Sequence, residues 1–265
     1  MSTKKSTIFK TLIFTFIILT AIVLITVKIY REVRQIHRLY GEVRQNWEQY
    51  NMPLPLSVPE IALRIVPGIS NYSPVEEIPE EDLTTPDLIL LGARREVKNG
   101  TRYDASYAVI SYPGGDVSPD YGACTDVVVR AFRNAGIDLQ QLIHEDMKEN
   151  FHLYPQRWGL SRPDPNIDHR RVPNQMRFFE HHGIPLTLEV EENLDQWQWG
   201  DVVYWKFPDG RDHCGIISDR TRRDGVPLVI HNAGLTREED CLLRWEITGH
   251  FRWDKGTGPL SQNAP

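Results

Sequence analysis

Four short runs near the C-terminal end, DVVYWKF, HCGIISD, PLVIHNA and LLRWEI, place the tightest limit on what this chain can fold into. Each is β-branched or aromatic and each is bounded by Gly, Asp or Pro, the signature of consecutive strands. The region before them has helical spacing instead. Thr85 can cap and Pro86 can start a helix, with Leu88, Leu91 and Val97 among its apolar positions and Gly100 beyond its end. Further helices are expected from Thr125 to Ala135, from Leu139 to Glu149 and from Pro173 to His182, the last closed by Gly183. Helices first and an antiparallel sheet second define an α+β domain, assigned to residues 84–255.

The other end of the chain follows different rules. Residues 11–28 form an apolar run without charge up to Lys28, close to the length that crosses a bilayer, and follow a short tail, residues 1–10, with Lys4, Lys5 and Lys10. No small-residue cleavage site follows, so an uncleaved single-pass anchor in the cytoplasmic membrane is expected. Ile29, Val33, Ile36, Tyr40, Val43, Trp47 and Tyr50 then recur in alternating steps of four and three, a heptad seam over residues 29–50. That stalk either self-associates into a homodimer or packs on its own domain. Pro53, Pro55, Pro59, Pro67, Pro74 and Pro79 mark residues 51–83 as a semi-extended linker, and residues 256–265 as a disordered tail complete the plan. The basic residues after the span, Lys28, Arg31 and Arg34 among them, by themselves favour a cytoplasmic C-terminal side.

A formal net charge of -6 argues against general nucleic-acid affinity, and no GxGxxG or GxxxxGK[ST] string supports a nucleotide cofactor. His144, Glu145 and Asp146 in HEDM lack CxxC or HExxH spacing, so neither a metal nor any other cofactor is expected.

Chemistry concentrates at YPGGDVSPDYGACTDVVVRAFRNAG. Gly114, Gly115, Pro119 and Gly122 shape a loop that delivers Cys124 to a helix start, where unpaired amides and the helix dipole favour a thiolate. A base is available on the strands: His213 opens HCGIISD and His231 lies in PLVIHNA, so neighbouring antiparallel strands can set two imidazoles side by side. Alternation predicts that Cys214 points away from His213; pairing of Cys214 with Cys241 in a disulfide is left open.

The order of GACTDVVVRAFRNAG, WQWGDVVYW, DHCGIISD and VIHNAG resembles the NlpC family of papain-like peptidoglycan peptidases, over about residues 84–253. HEDM, IDHRRVPN and ITGHFRW are more specifically similar to a bacterial domain of unknown function, family 1287, in the same group. The resemblance implies Cys124 as nucleophile, His213 as base and His231 as third residue, with Asn232 as the rival third residue. It implies a hydrolase for peptide or amide bonds, with peptidoglycan stem peptides as substrate, and hence a domain on the periplasmic or extracellular side. A thiol acyltransferase with the same triad and a non-catalytic wall-binding module are the alternatives. The acidic residue that the family carries before its cysteine is Ala123 here, and Asp126 follows instead. Tyr112 is a candidate oxyanion partner, with Tyr103 competing. Asp168, His169, Arg170 and Arg171 are candidate substrate contacts, since arginines hold carboxylates bidentately; Arg170, Arg171 and Arg177 as a solvated face is the bland alternative.

Overall fold

The computed structural model describes residues 72–255. The expected anchor, the stalk, the linker as far as residue 71 and the tail from residue 256 lie outside them. Among the described residues, no helix is long and apolar enough to cross a membrane.

Four α-helices precede the main sheet: α1 (Thr85–Asn99), α2 (Cys124–Asn134), α3 (Leu139–Asn150) and α4 (Val172–His182). The cap of α1 is Thr84 rather than Thr85, because the Thr84 amide donates to the Asp87 carboxylate at 2.8 Å and closes the first turn. Gly100 ends the helix in the left-handed region at φ 63°. The linker expected up to residue 83 is shorter than its prolines imply. Asp219 accepts hydrogen bonds from the Ser73 hydroxyl (2.7 Å) and the Val75 amide (2.9 Å), and Val75 is buried against the domain.

A six-stranded antiparallel sheet runs in the order β3 (Ile184–Pro185), β8 (Glu246–Arg252), β4 (Val202–Lys206), β5 (Asp212–Thr221), β6 (Pro227–Asn232), β7 (Thr236–Glu239). A small parallel pair, β1 (Arg102–Tyr103) and β2 (Tyr121–Gly122), sits just before α2. The expected fourth strand is displaced. Cys241–Trp245 form a turn, and pairing starts only at Glu246. Leu242 belongs to the apolar layer beneath that turn, and its carbonyl accepts from Trp205 Nε1 at 3.0 Å, so the run LLRW covers the sheet instead of extending it. The polar strand β7, TREE, was not foreseen.

Two apolar layers flank the sheet. On one face, Val127, Val128, Ala131 and Phe132 of α2 and Phe178 and Phe179 of α4 pack with Val202, Tyr204, Cys214, Ile216 and Ile230. On the other, Val203, Trp205, Ile217 and Val229 meet Val190, Trp197 and Leu242 from loops. A sheet apolar on both faces explains why β4, β5 and β6 read as nearly continuous hydrophobic runs. Each fully buried large side chain among them contributes about 1.5–3 kcal/mol by leaving water. That packing holds α2 on the sheet with Cys124, its first residue, next to His213 and Cys214 of β5.

Candidate active site

The N-terminus of α2 is built by its own third residue. Asp126 accepts from the Ala123 amide at 2.6 Å, and its carboxylate is gripped by Arg170 at 2.8 and 2.9 Å. Glycine is required just before it, since a Cβ on Gly122 would come within 2.9 Å of the Asp126 side chain. Asp126 thus holds the turn before Cys124 from inside the helix. Cys124 is the first residue of α2 and only 4 % exposed.

Its thiol is held well below the usual range. The largest cause is a hydrogen bond from the Cys214 side chain; the positive charge and hydrogen bond of His213 and the Cys214 amide add to it, against burial. Cys214 therefore does not simply turn away from the site. Burial, with Cys124 beside it, pushes its own thiol well up, so of the two sulfurs Cys124 carries the charge. All three cysteines are free, and Cys214 and Cys241 lie in the apolar layers on opposite faces of the sheet, which excludes the disulfide in this structure.

The strands supply a linear chain of proton carriers. His213 Nε2 lies 2.8 Å from His231 Nδ1, and His231 Nε2 lies 2.9 Å from Glu239 on β7. Gly215 is paired with His231 across the strands, and a Cβ there would reach the His231 Cβ at 3.1 Å and the Ile230 carbonyl at 2.8 Å. Arg244 completes the chain, its Nη1 donating to Glu239 at 2.9 Å. Burial works against ionisation of Glu239, yet the hydrogen bonds and charges of His231 and Arg244 hold its carboxyl at about 2. Burial and the neighbouring His213 push His231 down, so it is neutral at neutral pH.

An ionised carboxylate can only accept, and this assigns the protons. His231 donates from Nε2 to Glu239 and accepts at Nδ1, His213 donates from Nε2 to His231, and His213 Nδ1 is left with a lone pair to take the Cys124 proton. Trp205, Phe207 and Trp245 enclose the two imidazoles, with ring centroids 4.7–6.2 Å away. Water is thereby kept from the chain, and its electrostatics gain strength.

The other expected residues have different roles. Asn232 does not orient His213: its amide donates to the carbonyls of Thr101 (3.2 Å) and Gly122 (2.9 Å), tying down the loop before Cys124. Strand alternation sends it to the opposite side from His231. Tyr112 stands against His144 of α3 at 4.9 Å between ring centroids. Tyr103 is the tyrosine near the thiol; it is 44 % exposed, and its hydroxyl is pushed up to about 12 by the partial burial of the ring and then by the Cys124 charge. Arg170 is committed to Asp126 and to the Ser106 carbonyl (2.8 Å), and Asp168 is buried, accepting from the Asp164 amide and pairing with Arg171 at 2.8 Å. His169 is buried as well, and burial with the adjacent Arg170 lowers it to about 3. Three of these four proposed substrate contacts are therefore internal supports. Arg171 alone keeps a more open position, its guanidinium 4.1 Å over the Trp158 ring. Arg177 lines a cleft of about 550 Å³, counted to its open mouth, with Met176, Glu180, Asp212, Thr248 and Trp205, the residue stacked on His213.

Fold and site together define a helix-and-sheet domain with a buried Cys–His–His–Glu chain. The chain belongs to the family described as a domain of unknown function, DUF1287, whose model matches residues 90–253. An uncharacterized protein of Escherichia coli (strain K12), YijF, is 48% identical over 163 residues, which cover 61% of this chain and 78% of that protein. No solved structure matches.

Proposed function

We propose that this chain is a membrane-anchored cysteine hydrolase of the NlpC-like, papain-like kind, cleaving peptide or amide bonds in peptidoglycan stem peptides outside the cytoplasmic membrane. The observation that carries the reading is the hydrogen-bonded run from His213 through His231 to Glu239, with the lowered Cys124 thiol next to His213. The Cys124 thiolate adds to the substrate carbonyl, and first-turn amides of α2 face the oxyanion. His213, protonated at Nδ1, gives that proton to the leaving amine as the tetrahedral adduct collapses to a thioester. Water, deprotonated by the same nitrogen, then releases the acid and restores the thiol. Glu239 stabilises the imidazolium state through His231, as the third member of a triad does in one step fewer.

Purified cell-wall fragments incubated with the full-length protein and analysed by mass should lose a peptide bond by addition of water, and Cys124→Ala should abolish this without unfolding the domain. Intact fragments after incubation with folded wild-type protein sink the proposal. Products joined to an added amine instead of water point to acyl transfer.

A further inference from the structure

A second group of chemically active side chains lies away from Cys124, where the far ends of α3 and α4 meet. Asp146 lies on α3, His181 and His182 close α4, and one donor atom from each lies within 4.8 Å of the other two. Asp146 Oδ1 is already 3.0 Å from His182 Nε2. Tetrahedral zinc with bonds of about 2.0–2.1 Å sets its donor atoms roughly 3.3 Å apart, so the largest adjustment is about 1.5 Å. That movement falls on His181, which is exposed. The other two are held in place. Tyr154 donates its hydroxyl to Asp146 Oδ2, Asn150 donates to Oδ1 at 3.0 Å, and the His182 ring rests 4.7 Å from that of Phe178. Supporting contacts of this kind orient metal ligands before the ion arrives.

We propose that Asp146, His181 and His182 form a zinc site. Two imidazoles and one carboxylate suit a borderline ion and not Mg²⁺ or Ca²⁺, which take oxygen donors, and the fourth position is left for water. The ion ties α3 to α4. Through α4 it braces the candidate active site, because Gln175 of that helix donates to the carbonyls of Thr125 (3.2 Å) and His169 (2.8 Å) beside the first turn of α2. No short motif reveals the site, since its ligands come from two helices and two of them are adjacent in sequence. The other grouping of suitable donors among the described residues, His231, Glu239 and Cys241, shares its histidine and carboxylate with the proton chain.

Zinc chloride titrated calorimetrically into full-length protein in detergent, previously stripped with a chelator, should be taken up at one equivalent. At about a hundredfold excess over the dissociation constant, zinc should raise the unfolding midpoint by roughly 5 °C or more. His181→Ala and Asp146→Asn should each weaken uptake at least about tenfold and remove the thermal shift. His181 is exposed, so its replacement isolates ligand loss from any loss of packing. The proposal is overturned if wild type takes up no zinc, or if His181→Ala and Asp146→Asn take it up as tightly as wild type. The second result would place the ion on the thiols and histidines of the other site.

Discussion

Glu239→Gln separates charge from shape at the end of the proton chain. A carboxyl held at about 2, against an ordinary 4.5, stabilises the folded state by at most about 3 kcal/mol at pH 7, since the share owed to a charged His231 is absent once that ring is neutral. The sign follows from the direction. The folded value lies below the unfolded one, so the stabilisation is complete above 4.5 and is lost as pH falls toward 2. At pH 3 about 1 kcal/mol of it is left. Solvent screening takes little from this figure, because the Glu239 side chain is only 12 % exposed. Urea unfolding of the full-length protein should therefore find Glu239→Gln weaker than wild type by up to about 3 kcal/mol at pH 7, with the gap narrowing to about 1 kcal/mol at pH 3. The amide keeps its oxygen toward His231 and Arg244, because the guanidinium can only donate, so the order of the protons survives and only the negative charge that stabilises an imidazolium at His213 is lost. Alkylation of Cys124 by iodoacetamide, read as a function of pH, should persist below the ordinary thiol range of about 8.5 in wild type. In Glu239→Gln it should slow about 10–100-fold at pH 6. Identical unfolding curves from pH 3 to 7, together with identical alkylation profiles, would refute the reasoning.

Gly215→Ala should destabilise the domain by about 1–3 kcal/mol in urea, because the new methyl meets the Ile230 carbonyl at 2.8 Å and the His231 Cβ at 3.1 Å; unchanged stability would show that β5 and β6 separate without cost. A reporter fused to the C-terminus should be active only outside the cytoplasmic membrane, and cytoplasmic activity would remove the peptidoglycan reading.

The parts of this architecture that were readable from sequence are those governed by local rules. The starts and ends of α1, α2 and α4 carry capping and stop residues, and β4, β5 and β6 are apolar runs of strand length, so each was placed within a residue or two. The layer over the second face misled, because LLRW has strand composition and is packed like a strand, yet its backbone makes a turn over Trp205. The strand β7 is an edge strand whose residues are mostly polar, so its period carries no apolar signal. Glu239 was missed with it. Cys124, His213 and His231 were visible because a thiol at a helix start and imidazoles inside two apolar strand runs break the local pattern. Glutamate on a polar segment does not, and only the pairing of β6 with β7 gives this one its meaning. The IDHRR segment failed for the converse reason: arginine suggests a ligand, whereas Arg170 closes on Asp126, forty-four residues earlier in the chain.

His213, His231 and Glu239 occupy three neighbouring strands joined by two short turns, residues 222–226 and 233–235. Side chains alternate faces along a strand, so the site obeys a parity rule. One residue added to β6 between either turn and His231 would rotate that imidazole out of the chain while leaving an equally apolar, equally paired sheet behind. Drift in length is harmless within the turns and silently breaks the chain of side chains a few positions away. A relative can therefore keep this fold, and even keep every one of these side chains, and still have no connected path from thiol to carboxylate.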